Sequence, residues 1–169
     1  MLISESKYIY QEAFGIDEEF DDKLFTVCKK NLITLKKREK IVSQLFLLPV
    51  IIKANNEMID AFYLFAAVTK REYRGKGYMS ELIKRILADT EIPIFLKPAD
   101  KGLIAFYEQL GFEIFTAKYD IDNDYCILPE NEFKTLNAPK EEKNGKYTAM
   151  IFSKEKLNLE NITFSYTME

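Results

Sequence analysis

Apolar and polar positions along the chain change period several times, and each change marks an element. Ile16, Phe20, Leu24 and Val27 recur at helical spacing. Asp17 stands ahead of them as a cap, and Glu18 and Glu19 fill a first turn that suits the positive end of a helix dipole. The spacing predicts a helix with those four apolar residues as its buried stripe, and the acidic run 17–22 reads as its solvated face. A preceding helix is predicted over Tyr8–Phe14, stopped at Gly15. Two strand-like segments, Asn31–Leu35 and Ile41–Leu48, flank Lys36-Lys37-Arg38-Glu39-Lys40, which reads as a charged hairpin tip. Asn55-Asn56 marks the next turn. Met58–Thr69 is apolar almost without break, a pattern that suits a strand covered on both faces and central in its sheet.

After that strand the helical period returns. Leu82, Ile83, Ile86 and Leu87 form one face of a segment from Tyr78 to Ala88. Pro93 and Pro98 bracket a short strand, Ile94–Lys97. Asp100 caps a further helix with Leu103, Ile104, Tyr107 and Leu110 on one side, closed by Gly111. Phe112–Tyr119 and Gly145–Phe152 read as strands, and the polar stretch Glu130–Asn144 between them as an irregular excursion. Ile162, Phe164, Tyr166 and Met168 alternate with Thr163, Ser165 and Thr167, so a half-buried strand is expected at the C-terminus. Two helices, three strands, helix, strand, helix and more strands describe an α/β sandwich around one mixed sheet. No repeat or linker-like stretch divides the 169 residues, and one domain over 1–169 is expected.

Composition narrows the chemistry. With 47% hydrophobic and 30% charged residues, the chain is globular and not disordered or fibrous. Its 24 basic and 27 acidic residues leave a net charge of −3. Any phosphate recognition must therefore be local, and neither nucleic acid nor a membrane is expected as a partner. Histidine is absent, which removes Ser-His and Cys-His nucleophilic catalysis and a histidine base. Cys28 and Cys126 are too few for a disulfide scaffold and have no metal-ligand spacing, so no metal is expected. Asp120, Asp122 and Asp124 match the first ligand positions of a calcium loop. Tyr125 and Asn131 stand where Gly and Glu are needed, so they read as a polar turn. The longest apolar runs, Leu45–Ile52 and Ala61–Val68, fall short of the roughly 20 residues that span a bilayer. No targeting segment shows, and a cytoplasmic location is expected.

The segment richest in chemistry runs from Thr69 to Ser80, between the central strand and an amphipathic helix. Lys70, Arg71, Arg74 and Lys76 crowd into it, with Gly75 and Gly77 just before the helix. Glycines let a backbone approach a phosphate closely. The unpaired N–H groups of a first helical turn point at the anion, and the helix dipole adds positive potential. The spacing fits neither a P-loop nor a Rossmann turn. Read alone, the segment is equally a tight strand-to-helix turn with surface charges.

Arg74-Gly75-Lys76-Gly77-Tyr78-Met79 resembles the acetyl-CoA-binding turn of the GCN5-related N-acetyltransferase (GNAT) superfamily, Arg/Gln-x-x-Gly-x-Gly/Ala, with Met79 in the place of the small residue. Asp100-Lys101-Gly102-Leu103-Ile104-Ala105-Phe106-Tyr107-Glu108-Gln109-Leu110-Gly111-Phe112 is similar to a second motif of that family, with Asp100 where Asn is usual. The two stand in the family's order with the short strand between them. The resemblance covers about Leu32–Ala117 and looks especially like bacterial members of unassigned substrate. It implies a mixed, mostly antiparallel sheet splayed at its central parallel strands, with helices on both faces.

The resemblance further implies that acetyl-CoA is the cosubstrate. Its pantetheine would bond to backbone at Val68 and Thr69 and its phosphates would lie on Arg74, Gly75, Lys76, Gly77, Tyr78 and Met79. A primary amine, on a small molecule or a peptide, would attack the thioester directly, and Tyr107 would protonate the leaving thiolate. Where some family members carry a glutamate on the central strand, this chain has Phe62. Asp60 and Glu57 are the substitutes, and a water wire or an already neutral amine needs neither. The bland alternative for Asp60 is a solvent-facing carboxylate at a strand end, and for Tyr107 a core tyrosine. A non-catalytic acyl-CoA sensor and a nucleic-acid-binding domain using Lys36–Lys40 and Lys70–Lys76 are the rival readings. The protein is expected to be a monomer or homodimer.

Overall fold

The computed structural model describes residues 2–54, 57–119, 146–157 and 162–164. The expected turn at Asn55-Asn56, the Asp120–Asp124 turn, the Glu130–Asn144 excursion, and Tyr166 and Met168 lie outside these residues. The chain forms two compact units, Met1–Leu48 with Leu64–Asp89, and Pro49–Tyr63 with Thr90–Glu169.

The first unit opens with α1 (Leu2–Phe14) and α2 (Glu18–Val27). Asp17 caps α2 as expected, its carboxylate accepting from Phe20 N–H at 3.1 Å. The buried residues of α2 are Asp21, Leu24 and Phe25, whereas Ile16 is 71% exposed. The expected stripe is therefore displaced, because Ile16 precedes the cap and lies off the helix. The acidic run is not uniformly solvated either. Asp21 is 1% exposed and accepts from Gln11 Nε2 at 2.7 Å. Lys7 bridges Glu18 and Asp22, tying α1 to α2. Rings carry the packing inward, from Tyr10 to Phe25 to Phe46 to Phe65, with centroids 5.2–6.5 Å apart.

β1 (Leu32–Lys37) pairs antiparallel with the first part of β2 (Lys40–Ala54). The hairpin turns through Arg38 and Glu39, at φ 48° and 64°, the two left-handed residues that a two-residue hairpin requires. The last part of β3 (Glu57–Thr69) follows β2 in the strand order. α3 (Tyr78–Asp89) buries Leu82, Ile83, Ile86 and Leu87, the predicted face. Ile9, Ile41 and Val68 form one buried cluster.

In the second unit the strand order is β3, β4 (Ile94–Leu96), β6 (Lys146–Phe152), β5 (Glu113–Tyr119), β7 (Ile162–Phe164), and β7 also pairs with β2. β3–β4 and β5–β7 are parallel, while β4–β6, β5–β6 and β2–β7 are antiparallel, so the sheet is mixed. The β3–β4 pairing is short: Phe62 faces Ile94 and Tyr63 faces Phe95, with the latter rings stacked at 4.7 Å. β4 is fully buried. β3 is covered on both faces only from Ala61; Glu57, Met58 and Asp60 are exposed, which corrects the expectation for the whole segment. α4 (Lys101–Glu108) is capped by Asp100, whose carboxylate accepts from Leu103 N–H at 3.1 Å. Gly111, at φ 92°, closes its C-terminal end.

Candidate active site

Val68, Thr69 and Arg74–Met79 all fall in the first unit, at the end of β3 and the start of α3. Between them a single 3₁₀ turn, Arg71–Tyr73, lifts the chain off the strand. Gly75 and Gly77 have φ of 73° and 76°, a region where an L side chain is strained, and a Cβ at either would meet nothing within 4 Å. The glycines are therefore required by conformation, and the space over them is open to an incoming group. Glu81 N–H bonds to Gly77 C=O at 2.9 Å. The N–H groups of Tyr78, Met79 and Ser80 precede that bond and have no helical carbonyl to meet. Diphosphate oxygens fit such a site: acceptors without protons meeting unpaired donors at the positive end of a helix. That helix is twelve residues long.

The basic side chains are arranged otherwise than a simple cationic patch. Lys70 pairs with Glu72 at 3.1 Å, and that hydrogen bond raises the lysine's pKa. A backbone hydrogen bond and Lys70 together lower that of Glu72. Lys76 Nζ donates to Glu72 C=O at 3.0 Å and lies 5.4 Å over the Tyr73 ring. Arg74 Nε donates to Thr69 C=O at 3.0 Å. Arg71 is exposed. From the hairpin, Lys37 bonds Glu81 at 3.1 Å and lies 5.5 Å over the Tyr78 ring, so this lysine of the charged tip packs on α3. Its hydrogen bond lowers the Glu81 pKa, with Arg85 contributing.

Asp60 and Tyr107 belong to the second unit. Asp60 is exposed on β3. Tyr107 sits in α4 at 6% exposure, against Phe112 with ring centroids 5.6 Å apart. Its carbonyl accepts from Leu110 and Phe112 N–H groups, which fixes the end of α4. Burial pushes its phenol up to about 12. Among the described residues no group of three or more His, Cys, Asp or Glu could hold a metal ion.

Residues 3–115 match the model of the acetyltransferase (GNAT) domain family. The chain belongs to that family. No curated protein matches it at the level of sequence. Several solved structures share the fold of this GNAT domain. One is the histone acetyltransferase HPA2 and related acetyltransferase from Corynebacterium glutamicum, at TM-score 0.60 and 15% identity over 92% of each chain. Another is the Bacillus subtilis N-acetyltransferase YlbP in complex with coenzyme A, at TM-score 0.55 and 18% identity over 89% of each chain. A third is a GCN5-related N-acetyltransferase from Kribbella flavida, at TM-score 0.56 and 17% identity, covering 68% of this chain. The chain spans only 33% of the length of that protein.

Two features of this GNAT domain escaped the reading of its sequence. Ala66 has φ 51°, a left-handed kink inside β3 two residues before Val68. A non-glycine in that region stores strain, and such strain collects at functional sites. The pair Ala66-Ala67, small residues within a run of large ones, is its one sequence trace. Ser43 of β2, fully buried, bonds the Thr69 hydroxyl at 2.8 Å. Its neighbours at period two, Ile41 and Leu45, are apolar, and that alternation is the sequence trace of its burial.

Proposed function

We propose that residues 1–169 form one N-acetyltransferase domain that moves an acetyl group from acetyl-CoA to a primary amine by direct attack, in a ternary complex and in the cytoplasm. The observation that carries the reading is the turn after β3. Two left-handed glycines under open space lead into a helix whose first N–H groups have no helical partner. That arrangement receives a diphosphate, and the matched family supplies the acyl chemistry. A solved relative of the same fold is complexed with coenzyme A.

The residues divide the work. Backbone at Val68 and Thr69 holds the pantetheine arm, and Arg74, Gly75, Lys76, Gly77, Tyr78 and Met79 form the diphosphate turn. The N–H groups near the Ala66 kink and Val68 stabilise the negative charge on the thioester oxygen as the amine adds. Acetyl-CoA brings the activated acyl group. Tyr107 holds the proton that the departing thiolate takes, a role suited to a phenol kept protonated by burial. Asp60 is the carboxylate of β3 offered to take a proton from the substrate ammonium group, which leaves the neutral amine to attack. In Asp60→Asn, turnover falls at neutral pH and recovers toward alkaline pH, where the amine sheds its own proton. An unchanged pH profile would assign that proton to water.

The test of the whole reading is calorimetric titration of coenzyme A into wild type and Gly77→Glu. The glutamate would bring strain and the wrong charge to the phosphate path, so affinity falls at least tenfold. Equal affinity for both proteins would overturn the assignment.

A further inference from the structure

Three basic side chains of the turn are bonded within the turn, and the bond of Arg74 differs from the others in what it spans. Thr69 ends β3, and Arg74 is the last residue before left-handed Gly75. The bond from Arg74 Nε to Thr69 C=O, 3.0 Å long, therefore closes the loop across its mouth. Both ends of this strap are held. The Thr69 hydroxyl meets Ser43 at 2.8 Å, and the N–H of Lys70 donates to Val42 C=O at 3.0 Å. At the other end, Arg74 N–H donates to Arg71 C=O at 3.3 Å. β2 thus anchors the strand end, and the strap carries that anchor to the residue from which the Gly75–Gly77 path begins.

We propose that Arg74 is a positioning residue. Its side chain holds the Gly75–Tyr78 backbone in the arrangement that receives a diphosphate, by geometry and not by its charge. The proposal rests on the acetyl-CoA reading above. A cradle of N–H groups binds an anion well only if it is ordered beforehand, and two glycines make this stretch costly to order on binding. The bond to Thr69 uses one N–H of the guanidinium and a neutral carbonyl. A neutral donor of equal reach can make it. Nε2 of glutamine stands the same number of bonds from Cα as Nε of arginine, whereas lysine carries a carbon there. Glutamine keeps the strap and drops the charge, while lysine does the reverse.

The experiment is coenzyme A titration by calorimetry into wild type, Arg74→Gln, Arg74→Lys and Arg74→Ala at low and high salt. It is paired with hydrogen exchange of the Gly75, Lys76 and Gly77 amides in the free proteins. The strap predicts that Arg74→Gln retains affinity within about twofold, while Arg74→Lys and Arg74→Ala each lose about tenfold, the scale of one lost hydrogen bond. It also predicts the same salt sensitivity in all four, because an exposed ion pair to phosphate would be screened and a bond to a carbonyl is not. Amide exchange quickens in Arg74→Lys and Arg74→Ala only. Arg74→Lys binding like wild type while Arg74→Gln loses affinity and salt sensitivity would overturn the proposal in favour of a charge contact. Four equal affinities would overturn it by leaving Arg74 no role. Wild type failing to bind coenzyme A would instead bring down the acetyl-CoA reading itself, and the strap with it.

Discussion

Ser43 Oγ and Thr69 Oγ1 lie 2.8 Å apart, joining a fully buried residue of β2 to the last residue of β3. Ser43→Ala leaves one hydroxyl without its partner and Thr69→Val the other, at a cost of about 1–2 kcal/mol each. The double variant should cost less than the sum, with a coupling of about 0.5–1.5 kcal/mol in a urea-denaturation cycle. Additive losses would show that the two hydroxyls do not stabilise each other.

Tyr107 gives the protein an alkaline signature. The unfolded phenol ionises near its ordinary value of about 10, and the folded one at about 12 because burial opposes the charge. The sign follows: the contribution is fully present below pH 10 and is lost as pH rises from 10 to 12. The loss amounts to about 2–3 kcal/mol, since deprotonation then favours the unfolded chain. Tyr10 shifts to about 12 as well, through burial first and then the charges of Asp21 and Asp17. A spectrophotometric titration should show late-ionising tyrosines, one of which disappears in Tyr107→Phe. If that variant loses an early tyrosine instead, Tyr107 is not buried as described.

Gly111 and Gly15 share a φ of 92°, but their surroundings differ. A Cβ at Gly111 would stand 3.4 Å from the Phe152 ring, while one at Gly15 would meet nothing within 4 Å. Gly15→Ala should therefore cost only the left-handed penalty of about 1–2 kcal/mol, and Gly111→Ala more than that. Thermal melts of the two variants compare them directly; an equal loss would mean that Phe152 yields freely.

β7 pairs with β2 at Lys53 and Ala54 and with β5 at Lys118 and Tyr119. Removing residues 161–169 exposes two strand edges at once, so the melting temperature should fall by several degrees. A truncated protein that melts like the full chain would show β7 to be dispensable.

Much of the fold was legible because local and global preferences agree. The α3 face, the Asp17 and Asp100 caps and the charged hairpin each follow from one short stretch of sequence. Where two effects compete, the pattern misleads. Proline usually ends a strand, yet β2 runs through Pro49 to Ala54, and that residue is where one compact unit gives way to the other. An acidic run reads as solvated, yet Asp21 is buried because Gln11 and the N–H of Asp17 satisfy it. At the candidate site the glycine turn was visible in the residue types. The inward turn of Lys70, Arg74 and Lys76 was not, since charge count says nothing about which carbonyl or carboxylate a long side chain finds.

The interleaving of the two units along the chain bears on how the protein can be taken apart. Each is assembled from discontinuous segments, and β2 and β3 both cross the boundary in mid-strand, at Leu48–Pro49 and Tyr63–Leu64. No single cut yields a fragment with a complete set of partners. Neither half can be cloned as a contiguous piece, and a nascent chain cannot finish the first unit until Asp89 has left the ribosome. Deletion mapping from either end would therefore report loss of folding where it seeks loss of function, and point substitutions are the informative probe.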